Sequence, residues 1–259
     1  MAPERKTRLD AVAVTSLVLC CFLWGLNQVA VKAALPEVPP LAQAGLRSLG
    51  AALLVFIWAR LRDIALFTRD GTLRGGLLAG FLFAAEFACI FVGLQFTTAS
   101  RMAVFIYLSP FVVALGMPFI ARSERLSLPQ LLGLTIAFAG VAWAFAEGFT
   151  RPAAGAQQWL GDALGVLAAV LWGATTLTIR GSRLGSASAE KTLFYQLAVS
   201  GVALCAASLA SGAPWATHLS ALTWASLAFQ MLVVSFASYL LWFWLVRHYR
   251  RHGSRPSPC

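Results

Sequence analysis

Glu86 is the residue of this 259-residue sequence whose type and surroundings point first to chemistry. It stands in Ala84-Ala85-Glu86-Phe87-Ala88, midway along an apolar run. An ionised side chain at the centre of a bilayer costs about 2.5–3.5 kcal/mol on insertion scales, so such residues are retained for a reason. A carboxyl here acts either as a proton-coupling or cation-binding group, or as the buried partner of Arg47 or of a neighbouring backbone. Arg47 follows Gln43 by four residues, and on a helix the two share a face. A guanidinium beside an amide can hold and orient a carboxylate ligand, and it can equally neutralise Glu86.

Other polar and aromatic groups extend this constellation. Trp24 and Trp172 are either aromatic walls or packing residues beside Gly25 and Gly173. Asn27, Tyr107, Gln196 and Tyr239 offer neutral hydrogen bonds, along a ligand path or between helices. Lys32 and Arg180 fall near helix ends, where long cationic side chains reach the interface. Ser109-Pro110 marks a kink. Chemistry of other kinds lacks residues. The histidines His218, His248 and His252 lie in or beside loops, Asp162 starts a helix, and the five cysteines show no metal or redox spacing. There is no Gly-x-x-x-x-Gly-Lys-[Ser/Thr] loop. No metal or cofactor is expected, and a membrane-embedded enzyme using Glu86 is the weaker reading.

The elements that must position these residues are apolar. The sequence is 59% hydrophobic and 12% charged, with mean hydropathy +0.75, against about 45–50% and 25% for soluble domains. Apolar runs predict eight spans, at 11–34, 40–59, 73–96, 100–120, 128–147, 160–179, 190–211 and 219–246. None alternates as a barrel strand does, so the expected fold is an all-α polytopic membrane helix bundle in a lipid bilayer. The first run follows Arg5, Lys6 and Arg8 but has no Ala-x-Ala-like cleavage site, and it reads as a retained span.

The formal charge of +10 does not imply nucleic acid. With the N-terminus inside, 16 of the 20 Lys and Arg fall near the inner ends, around 5–8, 60–74, 122–125, 180–191 and 247–255. That is the positive-inside pattern, and it places both termini in the cytoplasm. Leu23-Trp24-Gly25 with Lys32 recurs as Leu171-Trp172-Gly173 with Arg180, five spans later. An odd number of spans per repeat inverts the second copy, as in many secondary transporters.

These stretches resemble the drug/metabolite transporter superfamily in its EamA-type branch. The resemblance rests on Leu23 to Lys32, Gln43 to Ala52, Phe91 to Ala142, Leu171 to Arg180 and Phe194 to Gly201. It implies two inverted five-helix repeats and a central cavity through which metabolites, amino acids or drugs leave the cell across a bacterial inner membrane. The expected organisation is a cytoplasmic segment at 1–10, a first repeat at 11–148, an external linker at 149–159, the first three helices of a second repeat at 160–249, and a basic tail at 250–259. The segment after Tyr249 cannot span. It reads as a basic tail, or as a frameshift product: codons can be written in which one lost base turns Pro-Ala-Thr-Arg-Leu-Ser-Ala-Phe-Ser into Arg250 to Pro258, and that restored stretch mirrors Ala99 to Phe105. On the latter reading helices nine and ten are missing, and the product is inactive or pairs as a homodimer.

Overall fold

The computed structural model describes residues 10–120, 127–144, 146, 155–214 and 216–248; the linker around 149–154 and the tail after Tyr249 lie outside them. The described residues are helical, without strands. The elements are α1 (Ala11–Ala34), α2 (Pro40–Leu61), α3 (Leu73–Phe96), α4 (Ala99–Ile106), α5 (Ser109–Ile120), α6 (Leu128–Ala144), α7 (Gln158–Gly181), a 3₁₀ turn (Arg183–Ser186), α8 (Ala189–Ser211), α9 (Ala221–Ala228), a π-helical stretch (Phe229–Ser238) and α10 (Tyr239–His248).

Local chemistry explains where the helices begin. Side chains of Asp10, Thr98, Ser188 and Ser220 each accept a hydrogen bond from an amide three residues on, capping α1, α4, α8 and α9. Pro40 opens α2, where its missing N–H is no loss. Gly212, at φ 61°, closes α8 in the left-handed region.

Seven helices or helix runs of 22–25 residues are long and apolar enough to cross a membrane. The fifth expected span, 128–147, is shorter among the described residues: α6 has 17 residues, or about 26 Å at 1.5 Å per residue. Two spans are not the single helices that hydropathy suggests. The fourth breaks at Tyr107–Leu108, where Pro110 has no N–H to give to Ile106, so α4 ends and α5 restarts at Ser109. The last widens into the π-helical stretch, within which the Ser238 hydroxyl donates to the Val234 carbonyl at 2.6 Å, competing with the α-helical partner of that carbonyl.

The helices interlock across the chain's midpoint. α3 packs along α7, α1 along α9 and the π stretch, and α2 along α8. Small residues set how closely they approach. A Cβ at Gly161 would fall 2.7 Å from Thr97 Cβ and 2.8 Å from the Gly93 carbonyl oxygen; one at Gly45 would fall 2.5 Å from Cys205 Sγ. Around these contacts a shared core forms from Val31, Val55, Phe83, Phe91, Leu94, Met102, Leu193 and Leu197.

Gly161→Val should therefore force α7 off α3, lowering stability by about 1–3 kcal/mol as overpacking does, whereas Gly133→Ala, which meets nothing within 4 Å, should be neutral. Thermal unfolding of the two variants in detergent is the check.

Candidate functional site

Arg47 lies on α2 with its side chain fully buried, and none of its three guanidinium nitrogens has a hydrogen-bond partner among the described residues. Its charge rests on aromatic faces instead. Cζ lies 3.9 Å from the centroid of the Phe87 ring and 5.4 Å from that of Phe91. Phe83, Phe87 and Phe91 recur every four residues on α3 and stack edge to face down one side. Glu86, next to Phe87, is 3% exposed, and its Oε2 also lacks a partner. Arg47 and Glu86 lie within electrostatic reach of each other but make no direct hydrogen bond.

Aromatic rings and amides carry this centre into the other half of the chain. Trp24 lies edge to face with Trp172 at 5.9 Å, Tyr239 at 6.0 Å and Trp242 at 5.5 Å, and its Nε1 donates to Ser238 Oγ at 2.9 Å. Tyr239 in turn stacks on Phe83 at 6.2 Å, within electrostatic reach of both Arg47 and Glu86. Gln43 receives a hydrogen bond of 2.8 Å from Gln230, in the π stretch. Asn27, one turn beyond Trp24 on α1, is buried with its Oδ1 unpartnered.

Six of the residues singled out in the sequence thus converge: Arg47, Glu86, Gln43, Trp24, Trp172 and Tyr239. Asn27 adjoins them. Tyr107 sits apart at the α4–α5 break, beside Cys21. Gln196 is buried on α8 and shares no hydrogen bond with Arg47. Gln230 went unrecognised, although a lone amide in Phe229-Gln230-Met231-Leu232-Val233 is a signal of the same kind as Gln43. The Phe83, Phe87, Phe91 stripe was legible as helical spacing, but its role as a seat for Arg47 was not.

Polar clusters close both ends of the bundle. At one end Arg101 grips Asp162 through Nε at 3.0 Å and Nη2 at 2.5 Å. Thr97 Oγ1 adds a bond of 2.7 Å to the same carboxylate, and Lys32 Nζ donates to the Thr97 carbonyl at 2.5 Å. Lys32 thus meets the end of α3, and Arg101 of α4 pairs with Asp162 near the start of α7 beside it. At the same end Glu37 Oε2 accepts from the Ser220 amide at 2.7 Å, which holds its carboxyl below the usual range. At the opposite end Lys191 Nζ reaches Asp70 Oδ2 at 2.7 Å and Thr68 Oγ1 at 2.8 Å. The Lys191 ammonium, followed by the Thr72 hydroxyl, holds the Asp70 carboxyl well below the usual carboxylate range.

Among the described residues no group of three His, Cys, Asp or Glu could hold a metal ion. What the centre offers is one buried cation, one buried carboxyl and neutral amides within an aromatic wall.

Comparison with known proteins follows the same lines. Residues 11–146 match the EamA-like transporter family. The chain is 30% identical over 251 residues to a Bacillus subtilis protein described as an uncharacterized transporter, YvbV, covering 93% of this chain and 76% of that one. It is 30% identical over 124 residues to a probable amino-acid metabolite efflux pump of Salmonella typhimurium, covering 48% of this chain and 40% of the pump. A crystal structure of a protein 16% identical in sequence shares the fold at a TM-score of 0.68, over 92% of this chain and 80% of that one.

Because the Asp70 carboxyl is depressed when folded, the stability it adds is complete above the ordinary carboxylate pKa of about 3.9 and disappears only as the pH falls through its lower folded value. Thermal unfolding between pH 8 and pH 5, a range chosen as roughly neutral to mildly acid, should show no contribution from this latch. Asp70→Asn should remove its share of the acid limb below that range.

Proposed function

Since the chain belongs to the EamA-like transporter family and is a multi-pass membrane protein, we propose that it is a secondary transporter that exports small zwitterionic metabolites, amino acids among them, by alternating access. The observation that carries this reading is the pair Arg47 and Glu86: opposite charges, both buried in the bundle and not paired with each other. Each is expensive in a membrane interior, and a ligand with a carboxylate and an ammonium would compensate both. A guanidinium binds a carboxylate in a fork geometry. Glu86 would take the ammonium, or a proton when the ligand leaves, which couples export to the proton gradient. The Salmonella typhimurium relative, a probable amino-acid metabolite efflux pump, agrees with that substrate class.

Two further observations support the mechanism. The packing of α1 on α9 and the π stretch, of α3 on α7, and of α2 on α8 is what two inverted halves would produce, each lending its first helix to the other's third. The polar clusters sit at opposite ends of the bundle, as paired gates would. Arg101, Asp162, Thr97 and Lys32 form the outer one, and Asp70, Lys191 and Thr68 the inner one, with the N-terminus in the cytoplasm of a bacterial cell and the protein in its inner membrane.

Proteoliposomes test this. Wild-type protein should exchange amino acids and respond to an imposed pH gradient, Arg47→Met should lower exchange at least tenfold, about the 1.4 kcal/mol of one lost charge-assisted bond, and Glu86→Gln should abolish the pH response. A Glu86→Gln variant that keeps proton-coupled flux would sink the coupling role. For the outer gate, Arg101→Asp alone should impair exchange and Arg101→Asp with Asp162→Arg should restore it in part, because only the pairing is rebuilt.

A further inference from the structure

Gln43 and Gln230 are both fully buried, at 0% exposure, and they touch each other across the α2–π seam. Gln230 Nε2 donates to Gln43 Oε1 at 2.8 Å, while Gln43 Nε2 and Gln230 Oε1 have no partner among the described residues. Exchanging N and O in both amides would reverse that bond but leave the same inventory: one amide NH2 and one amide carbonyl unused. Buried amides are ordinarily satisfied, and two adjacent ones that are not, one offering a donor and the other an acceptor, form a recognition edge.

We propose that this edge reads a neutral side chain that carries both an acceptor and a donor, a primary carboxamide, on a zwitterionic substrate. The inference rests on the reading above of Arg47 and Glu86 as the holders of the substrate's charged ends. The carboxamide NH2 donates to Gln230 Oε1 and its carbonyl accepts from Gln43 Nε2. Gln43 precedes Arg47 by four residues, one turn or about 6 Å along α2. That separation suits an amino acid whose carboxamide lies one or two methylenes beyond its α-carbon. The methylenes would run past the aromatic wall, which is apolar without being selective. The edge is closed in the present arrangement, so a ligand meets it as α2 and the π stretch part. Ser48 and Ser235, on these same two elements, are also buried with unpartnered hydroxyls. A substrate bonded to both amides joins the two sides of the seam, so recognition of the side chain and closure become one event. An aliphatic ligand of equal length leaves both amides unpaired and loses about tenfold in apparent affinity.

The test is competition in proteoliposomes preloaded with radiolabelled L-glutamine, with L-glutamine, L-asparagine and L-norleucine as external competitors. The carboxamides should compete about tenfold better than norleucine. In Gln230→Met and Gln43→Met, near-isosteric changes that remove the donor and acceptor, the ratio should fall to about one, with folding verified by the unfolding temperature. If wild-type protein exchanges norleucine as readily as glutamine, the inference is overturned and the transport reading survives. A folded methionine variant that keeps the preference overturns it as well. If no zwitterion exchanges at all, both readings fall together. Should the variants not fold, the wild-type ratio decides by itself.

Discussion

A guanidinium within an apolar bundle needs compensation, and the way Arg47 receives it organises the surrounding structure. It is fully buried, yet it lies against the faces of Phe87 and Phe91 rather than against a carboxylate. Aromatic faces supply negative potential without accepting a directed hydrogen bond, so the positive charge is partly stabilised with only Tyr239 close enough to approach its N–H donors. A buried ion pair with Glu86 would have been the alternative, and pairing of that kind consumes both groups. By seating Arg47 on rings, the fold keeps a cation and a carboxyl near one another and separately available. Phe83, Phe87 and Phe91 on one face of α3, with Tyr239 and Trp24 continuing the wall, follow from that need.

The helix contacts divide into two kinds. Where α3 meets α7, and α2 meets α8, glycines let backbones and side chains approach to distances at which a Cβ would collide, and dense packing of this sort resists gradual deformation. Where α2 meets the π stretch, Gly50 packs on Met231 and Trp58 meets Phe236 edge to face, and beside these apolar contacts lies one amide pair that leaves Gln43 Nε2 and Gln230 Oε1 unpartnered. Unsatisfied polar atoms of that kind each disfavour the closed arrangement by about 1–3 kcal/mol. Water or a ligand entering the seam would relieve that penalty. The α2–π seam thus joins close packing at Gly50 to an incompletely paired polar contact one helix turn from Arg47.

Most of the helical framework was legible because membrane spans are written in length and hydropathy. Leu73–Phe96 and Ala11–Ala34 follow the apolar runs to the residue, and Pro110 marks the break between α4 and α5. Glu86, Arg47 and Gln43 stood out because each is polar where polar groups are costly. The π stretch was not legible, since Phe229–Ser238 has the composition of an ordinary helix and its widening depends on hydrogen bonds made inside it and to Gln43. The end clusters were missed for a similar reason. Lys32, Arg101 and Asp162 are each unremarkable at a helix end, and only the crossing of α1, α3 and α7 turns them into a network.

That network also constrains how the bundle can move. Arg101 and Asp162 lie at the end of the α3–α7 seam, where Gly161 is pressed against Thr97, so a bidentate ion pair and a close glycine contact are one residue apart. Thr97 both packs against Gly161 and donates to Asp162, so the polar and the close-packed contacts meet at one residue. At the other end Lys191 opens α8 and reaches Asp70 in the loop before α3, away from the tight Gly45–Cys205 approach. In both places the ion pair adjoins close glycine contacts, Gly161 against Thr97 at one end and Gly71 and Gly75 against Arg183 and Ser182 at the other. Ion pairs set against close glycine contacts let a bundle have discrete arrangements, since such packing does not deform gradually.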